Sequence, residues 1–126
     1  MNNGNSCFNL GVMYQDGSGV KKDYRIANQY YEKAVNLNYT KAFNNLGVSY
    51  ANGYGVEKNY VTAANYYGKG CSFNDGTACT NLANFHLNGI GLPKDLSQAK
   101  FFARKGCELG EQKGCEIYKV LAQNGY

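Results

Sequence analysis

The sequence has no tryptophan, one proline, one histidine and no long apolar run in its 126 residues. No stretch approaches the roughly 18 apolar residues of a membrane span, so insertion into a bilayer is not expected. The opening MNNGNSC has neither the charged start nor the apolar stretch of a signal peptide, so the chain is either cytosolic or has lost its leader. Basic residues are in mild excess, 13 against 9 acidic, but lysines such as Lys21, Lys58 and Lys94 stand singly along the chain. Without a continuous basic stripe, nucleic acid is not an expected partner. No catalytic triad, metal motif or phosphate-binding loop is present, and neither cofactor nor metal is expected.

What the chain does have is aromatic residues and glycine: twelve tyrosines, six phenylalanines and sixteen glycines. With 44% hydrophobic residues, this composition fits one soluble globular domain that can bury a core, and excludes a disordered or linker-like chain. The glycines follow a period of 36. CFNLGVMYQDGSGVKKDY from Cys7, FNNLGVSYANGYGVEKNY from Phe43 and CTNLANFHLNGIGLPKDL from Cys79 align without a gap. CEIYKVLAQNGY from Cys115 begins a fourth copy. The expected boundaries are about 4–38, 39–74 and 75–110, with a partial repeat over 111–126.

Each repeat predicts two helices around a glycine turn. In repeat 2, Phe43, Leu46, Gly47 and Tyr50 fall on one face of a first helix, A. Asp16-Gly-Ser-Gly19, Asn52-Gly-Tyr-Gly55 and Asn88-Gly-Ile-Gly91 follow, with glycines suited to the left-handed conformation that ends a helix. Asp23, Asn59 and Asp95 are N-caps for a second helix, B. Its buried stripe reads Ala27, Tyr30, Tyr31 and Ala34, then Ala63, Tyr66, Tyr67 and Gly70, then Ala99, Phe102, Ala103 and Gly106. Gly11, Gly47 and Ala83 on helix A, with Ala27, Ala63 and Ala99 on helix B, are expected to let the helices approach closely while aromatics fill the flanks. One hairpin leaves its apolar face open, so repeats stack. The expected fold is all-α, an α/α solenoid of 36-residue helix-turn-helix repeats with about seven helices.

NLGVMYQDGSGVKKDYRIANQYYEKA and NLGVSYANGYGVEKNYVTAANYYGKG resemble Sel1-like repeats, relatives of the tetratricopeptide repeat with a longer glycine-containing turn. The resemblance covers essentially the whole chain. The paired cysteines of CSFNDGTAC and CELGEQKGC resemble those of the secreted Helicobacter cysteine-rich subfamily of Sel1-like proteins. Cys71 and Cys107 then end a B helix, and Cys79 and Cys115 open the next A helix, so disulfides Cys71–Cys79 and Cys107–Cys115 are expected. A zinc site is the alternative, although seven intervening residues fit the usual Cys-x2–4-Cys spacing poorly. Persistent disulfides favour a secreted or periplasmic protein. At the junction of repeats 1 and 2, Val35 and Phe43 replace the pair and are expected to hold it by packing. Cys7 is unpaired, free or in an intermolecular disulfide; its periodic partner would precede Met1, an expectation that the chain is a piece of a longer repeat protein.

His86 replaces Tyr14 and Tyr50 and is expected as a core or rim substitution, not a general base. Ser18-Gly-Val-Lys21 and Ser97-Gln-Ala-Lys100 match the Ser-x-x-Lys of penicillin-binding enzymes without its companion motifs. Some cysteine-rich relatives are linked to β-lactam binding, so a penicillin-binding protein or weak β-lactamase is the alternative function. The leading expectation is a non-enzymatic scaffold that binds another protein or an extended peptide on the concave wall of A helices. Leu10, Leu46 and Leu82 are assigned to the buried stripe and Asn9, Asn45 and Asn81 to the neighbouring, groove-lining face. The tetratricopeptide resemblance implies that such asparagines hold a peptide backbone. Asn44, Asn84 and Asn88 extend the lining, and Lys41 and Lys113 add positive charge, with Ile117 replacing the asparagine in repeat 4.

Overall fold

A computed structural model describes residues 3–126. Its seven helices run in the order α1 Gly4–Asp16, α2 Tyr24–Asn36, α3 Lys41–Asn52, α4 Tyr60–Ser72, α5 Gly76–Asn88, α6 Leu96–Glu108 and α7 Gln112–Gln123. Odd-numbered helices are A helices and even-numbered ones B helices. The three expected B-helix caps are in place, Asp23, Asn59 and Asp95 each accepting hydrogen bonds from first-turn amides. Gly17, Gly53 and Gly89 end the A helices α1, α3 and α5 in the left-handed conformation at φ 72, 72 and 64°. B helices end differently, one residue past an apolar cap, with Asn38, Asn74 and Gly110 at positive φ.

Glycine serves a second purpose at the other turn position. A Cβ on Gly55 would stand 2.7 Å from the backbone of Tyr24 and Arg25, and one on Gly91 would stand 2.6 Å from the Tyr60 carbonyl oxygen. Each turn therefore lies directly on the start of the preceding B helix, an approach that only glycine permits.

The small residues of helix A make room for rings. A Cβ on Gly11 would come within 2.5 Å of the Tyr31 ring, and one on Gly47 within 2.5 Å of Tyr67. Tyr31 and Tyr67 are buried in this way, each packed against the glycine of its own hairpin. Repeat 3 replaces both members together, with Ala83 and Ala103 at the same places, both fully buried. A Cβ on Gly11 would also stand 3.1 Å from the Ala27 carbonyl oxygen, so α1 and α2 approach closely there as expected, and in the first two repeats the glycine accommodates a tyrosine ring as well. Flanking each hairpin is a stacked pair, Tyr14–Tyr30, Tyr50–Tyr66 and His86–Phe102, at 5.8, 5.7 and 5.6 Å between ring centroids.

The core runs along the stack. One cluster joins Cys7, Ala27, Tyr31, Ala34, Ala42 and Leu46 across α1, α2 and α3, with Val35 packed against it. Another joins Ala63, Ala64, Tyr67, Leu82 and Phe85 across α4 and α5. Leu46 and Leu82 are buried as expected, but Leu10 is 37% exposed.

Candidate functional site

Successive A helices touch, α3 with α5 and α5 with α7, to an extent that successive B helices do not match. The A helices therefore line the inner side of the curve. Their inner residues come from two adjoining helical positions, with diagonal pairing between neighbours. Asn81 Nδ2 on α5 donates to Asn44 Oδ1 on α3 at 2.8 Å, bridging two repeats. Asn45, half-buried, is a neighbour of the Tyr31 hydroxyl, which donates to Gln15 Oε1 at 2.7 Å. Burial raises the Tyr31 pKa above the ordinary tyrosine value and the Asn45 contact offsets part of the rise. Asn9 is exposed on α1.

Other expected members lie elsewhere. Asn88 Nδ2 donates to the carbonyl and side-chain oxygens of Asn84 at 3.1 and 2.9 Å, so this pair is satisfied within its own helix end. Lys41 is exposed at the start of α3, in a hollow along the B-to-A connections that also holds Asp75, Thr77 and Glu111. Its charge faces Asp75, whose pKa is raised chiefly by burial and further by Glu111, with Lys41 and two backbone amides acting the other way. Lys113 is exposed on α7.

The cysteine pairs meet. Cys71–Cys79 and Cys107–Cys115 are disulfide-bonded, each with Cα atoms 4.5 Å apart. With all four sulfurs in bonds they are not zinc ligands, and among the described residues no group of three His, Cys, Asp or Glu side chains converges. Cys7 is a free thiol, 3% exposed, in the first core cluster and against a surface hollow that Lys33, Asn36 and Leu37 also line.

The junction lacking a disulfide is held in a way the sequence reading missed. Asn28 on α2 is 5% exposed; its Nδ2 donates to the Tyr54 carbonyl at 2.7 Å and its Oδ1 accepts from Ser49 Oγ at 2.7 Å. Phe43 stacks on Phe73 at the end of α4, 5.6 Å away, while Val35 packs on the first core cluster. The signal was available: Asn28 and Ser49 stand where repeats 2 and 3 place the apolar Ala64 and Phe85.

His86 is half-buried against Phe102 with its rings 9° from parallel, and its Nδ1 is buried without a hydrogen-bond partner. Ser18 lies in the exposed turn after α1. Ser97 and Lys100 line one surface hollow with Phe101, Arg104 and Tyr118. The Lys100 ammonium, however, donates to the Tyr126 carbonyl and lies over the Tyr118 ring, contacts that draw it toward α7. A lysine so engaged is poorly placed to take a proton from Ser97.

The Sel1 repeat matches residues 4–39, 40–72 and 76–111, most of the chain. The chain belongs to the Sel1 repeat family. A Sel1 repeat protein from Oxalobacter formigenes has a similar structure, with TM-score 0.89 and 33% identity over 94% of this chain and 49% of that one. This chain thus spans about half the length of that relative. A protective antigen of uropathogenic Escherichia coli strains is similar at TM-score 0.82 and 26% identity, over 97% of this chain and 31% of the antigen. Helicobacter pylori cysteine-rich protein B is similar at TM-score 0.75 and 33% identity, over 89% of this chain and 86% of that protein. No curated protein sequence matches the chain. Sel1 repeats in general form a non-catalytic scaffold that mediates protein–protein interaction, and this chain shares that α-solenoid scaffold.

Proposed function

We propose that this protein is a secreted or periplasmic binding scaffold that takes an extended peptide, or a partner segment in extended form, along the inner wall of its A helices. The observation that carries the proposal is the asparagine strip over α3 and α5. Asn81 and Asn44 fix each other's amides across the repeat junction, leaving the Asn44 amide nitrogen and the Asn81 amide oxygen to meet a peptide backbone. Asn45 continues the strip next to the Tyr31 hydroxyl. Because an amide offers both donor and acceptor, such a strip grips main chain without reading side chains.

Two disulfides support an oxidising compartment, as does the similarity to the Helicobacter cysteine-rich protein. Among the described residues, no helix is long and apolar enough to cross a membrane. On this reading the protein performs no chemistry of its own, and covalent labelling of Ser97 by a fluorescent penicillin would contradict it. Capture of partners with the intact chain, repeated with the Asn45→Ala/Asn81→Ala variant, tests the groove.

A further inference from the structure

The A-helix wall changes character at its C-terminal end. Asn9, Asn45 and Asn81 share one position of the repeat, and repeat 4 has Ile117 there. Around it lies a hollow of about 220 Å³ lined by Leu87 of α5 and by Glu116, Ile117, Val120 and Leu121 of α7. All its walls come from A helices, so it opens on the same side as the Asn44–Asn81 bridge, one junction further along. Val120 at its mouth is 55% exposed, whereas Leu121 at its base is 4% exposed. Glu116 is the one polar residue of the lining and is itself exposed.

We propose that this hollow takes a single apolar side chain of the bound peptide, of leucine or phenylalanine size, from a residue next to a lysine or arginine. The inference rests on the scaffold reading above and adds the partner's chemistry to it. Three features select that occupant. The volume lies below the roughly 300–1,000 Å³ of pockets that enclose whole small molecules, so it suits one side chain, not a helix or a drug-sized ligand. The hollow continues the hydrogen-bonding strip, which gives the classes of contact that extended-peptide recognition combines: main-chain bonds along the strand and a pocket for a side chain. Glu116 at the rim complements a cation beside the apolar residue and disfavours an acidic one.

The test is methyl NMR on the full oxidised chain, titrated with short acetylated and amidated Gly-Ser peptides carrying one Leu-Lys pair. The expected result is saturable shifts of the Leu87, Ile117 and Val120 methyls. Replacing the peptide leucine by serine should weaken binding about tenfold or more, and replacing its lysine by glutamate should weaken it further. Ile117→Asn, which installs the residue of the other repeats, should remove the preference for leucine over serine. Val120→Ser, at an exposed position that folding does not depend on, should reduce it. Shifts that are absent, that ignore the leucine, or that follow protein concentration without peptide would overturn the proposal, the last pointing to a second copy of the chain. Asn45→Ala/Asn81→Ala should weaken all the peptides alike. Loss of the leucine preference with that asparagine effect intact would remove the pocket and leave the scaffold; the reverse would remove the asparagine groove.

Discussion

Ser49 Oγ donates a 2.7 Å hydrogen bond to Asn28 Oδ1 across the one complete repeat junction that has no disulfide. Both side chains are buried, and the Asn28 amide also holds the Tyr54 carbonyl of the next turn. Ser49→Ala would leave a buried acceptor unsatisfied and is expected to cost about 1–3 kcal/mol. The double change Asn28→Ala/Ser49→Phe copies the Ala64 and Phe85 of the following junction and should recover much of that loss. Urea unfolding of the single and double variants checks both outcomes; a harmless Ser49→Ala would show that the network contributes little.

The repeat, the seven helices, the caps and the cysteine pairing are legible in the sequence because each rests on local chemistry repeated at a fixed period. What escapes it depends on which neighbour a side chain meets. The repeat register assigns Phe43 to the junction of repeats 1 and 2, yet it stacks on Phe73 within repeat 2. Leu10 shares the pattern of Leu46, which lies in the first core cluster, yet is itself 37% exposed. Helical spacing alone groups Lys41 and Asn88 with the groove asparagines; in the structure Lys41 faces Asp75 and Asn88 bonds its own helix end.

Gly47 and Tyr67 form a size-matched pair. Gly47→Ala places a methyl 2.5 Å from the Tyr67 ring and should destabilise by about 1–3 kcal/mol through overpacking. Tyr67→Ala opens a cavity costing on the order of 3–5 kcal/mol. Together they reproduce the Ala83 and Ala103 of repeat 3, so the double variant should lose less than the sum of the singles. Strict additivity in a double-mutant cycle would contradict the pairing.

Each disulfide closes a short loop and should stabilise by about 2–3 kcal/mol on the chain-entropy estimate. Reduction should therefore loosen repeats 3 and 4 before repeats 1 and 2, whose junction depends on Asn28 and Ser49. Hydrogen exchange with and without reductant reads the order directly, and protection lost first in α1 and α2 would reverse it.

Alkaline stability should follow the buried tyrosines. Burial pushes Tyr67 up to about 12, and raises Tyr31 and Tyr66 as well. The folded pKa lies above the unfolded one, so the stabilisation is complete below about pH 10 and is lost as pH climbs from 10 through 12. Tyr67→Phe should make that loss shallower in denaturant titrations followed across this range. An unchanged pH profile would mean that Tyr67 ionises as freely folded as unfolded.

The most direct test of the scaffold is the affinity of the Asn45→Ala/Asn81→Ala variant for the partner captured by the intact chain. Circular dichroism should show an unchanged helical fold, and binding should weaken by on the order of 1 kcal/mol or more for each amide-to-backbone hydrogen bond that the substitutions remove. Unchanged affinity in that variant, with loss instead on substituting the exposed B-helix residues Lys69 or Arg104, would place the binding surface on the convex face and contradict the account.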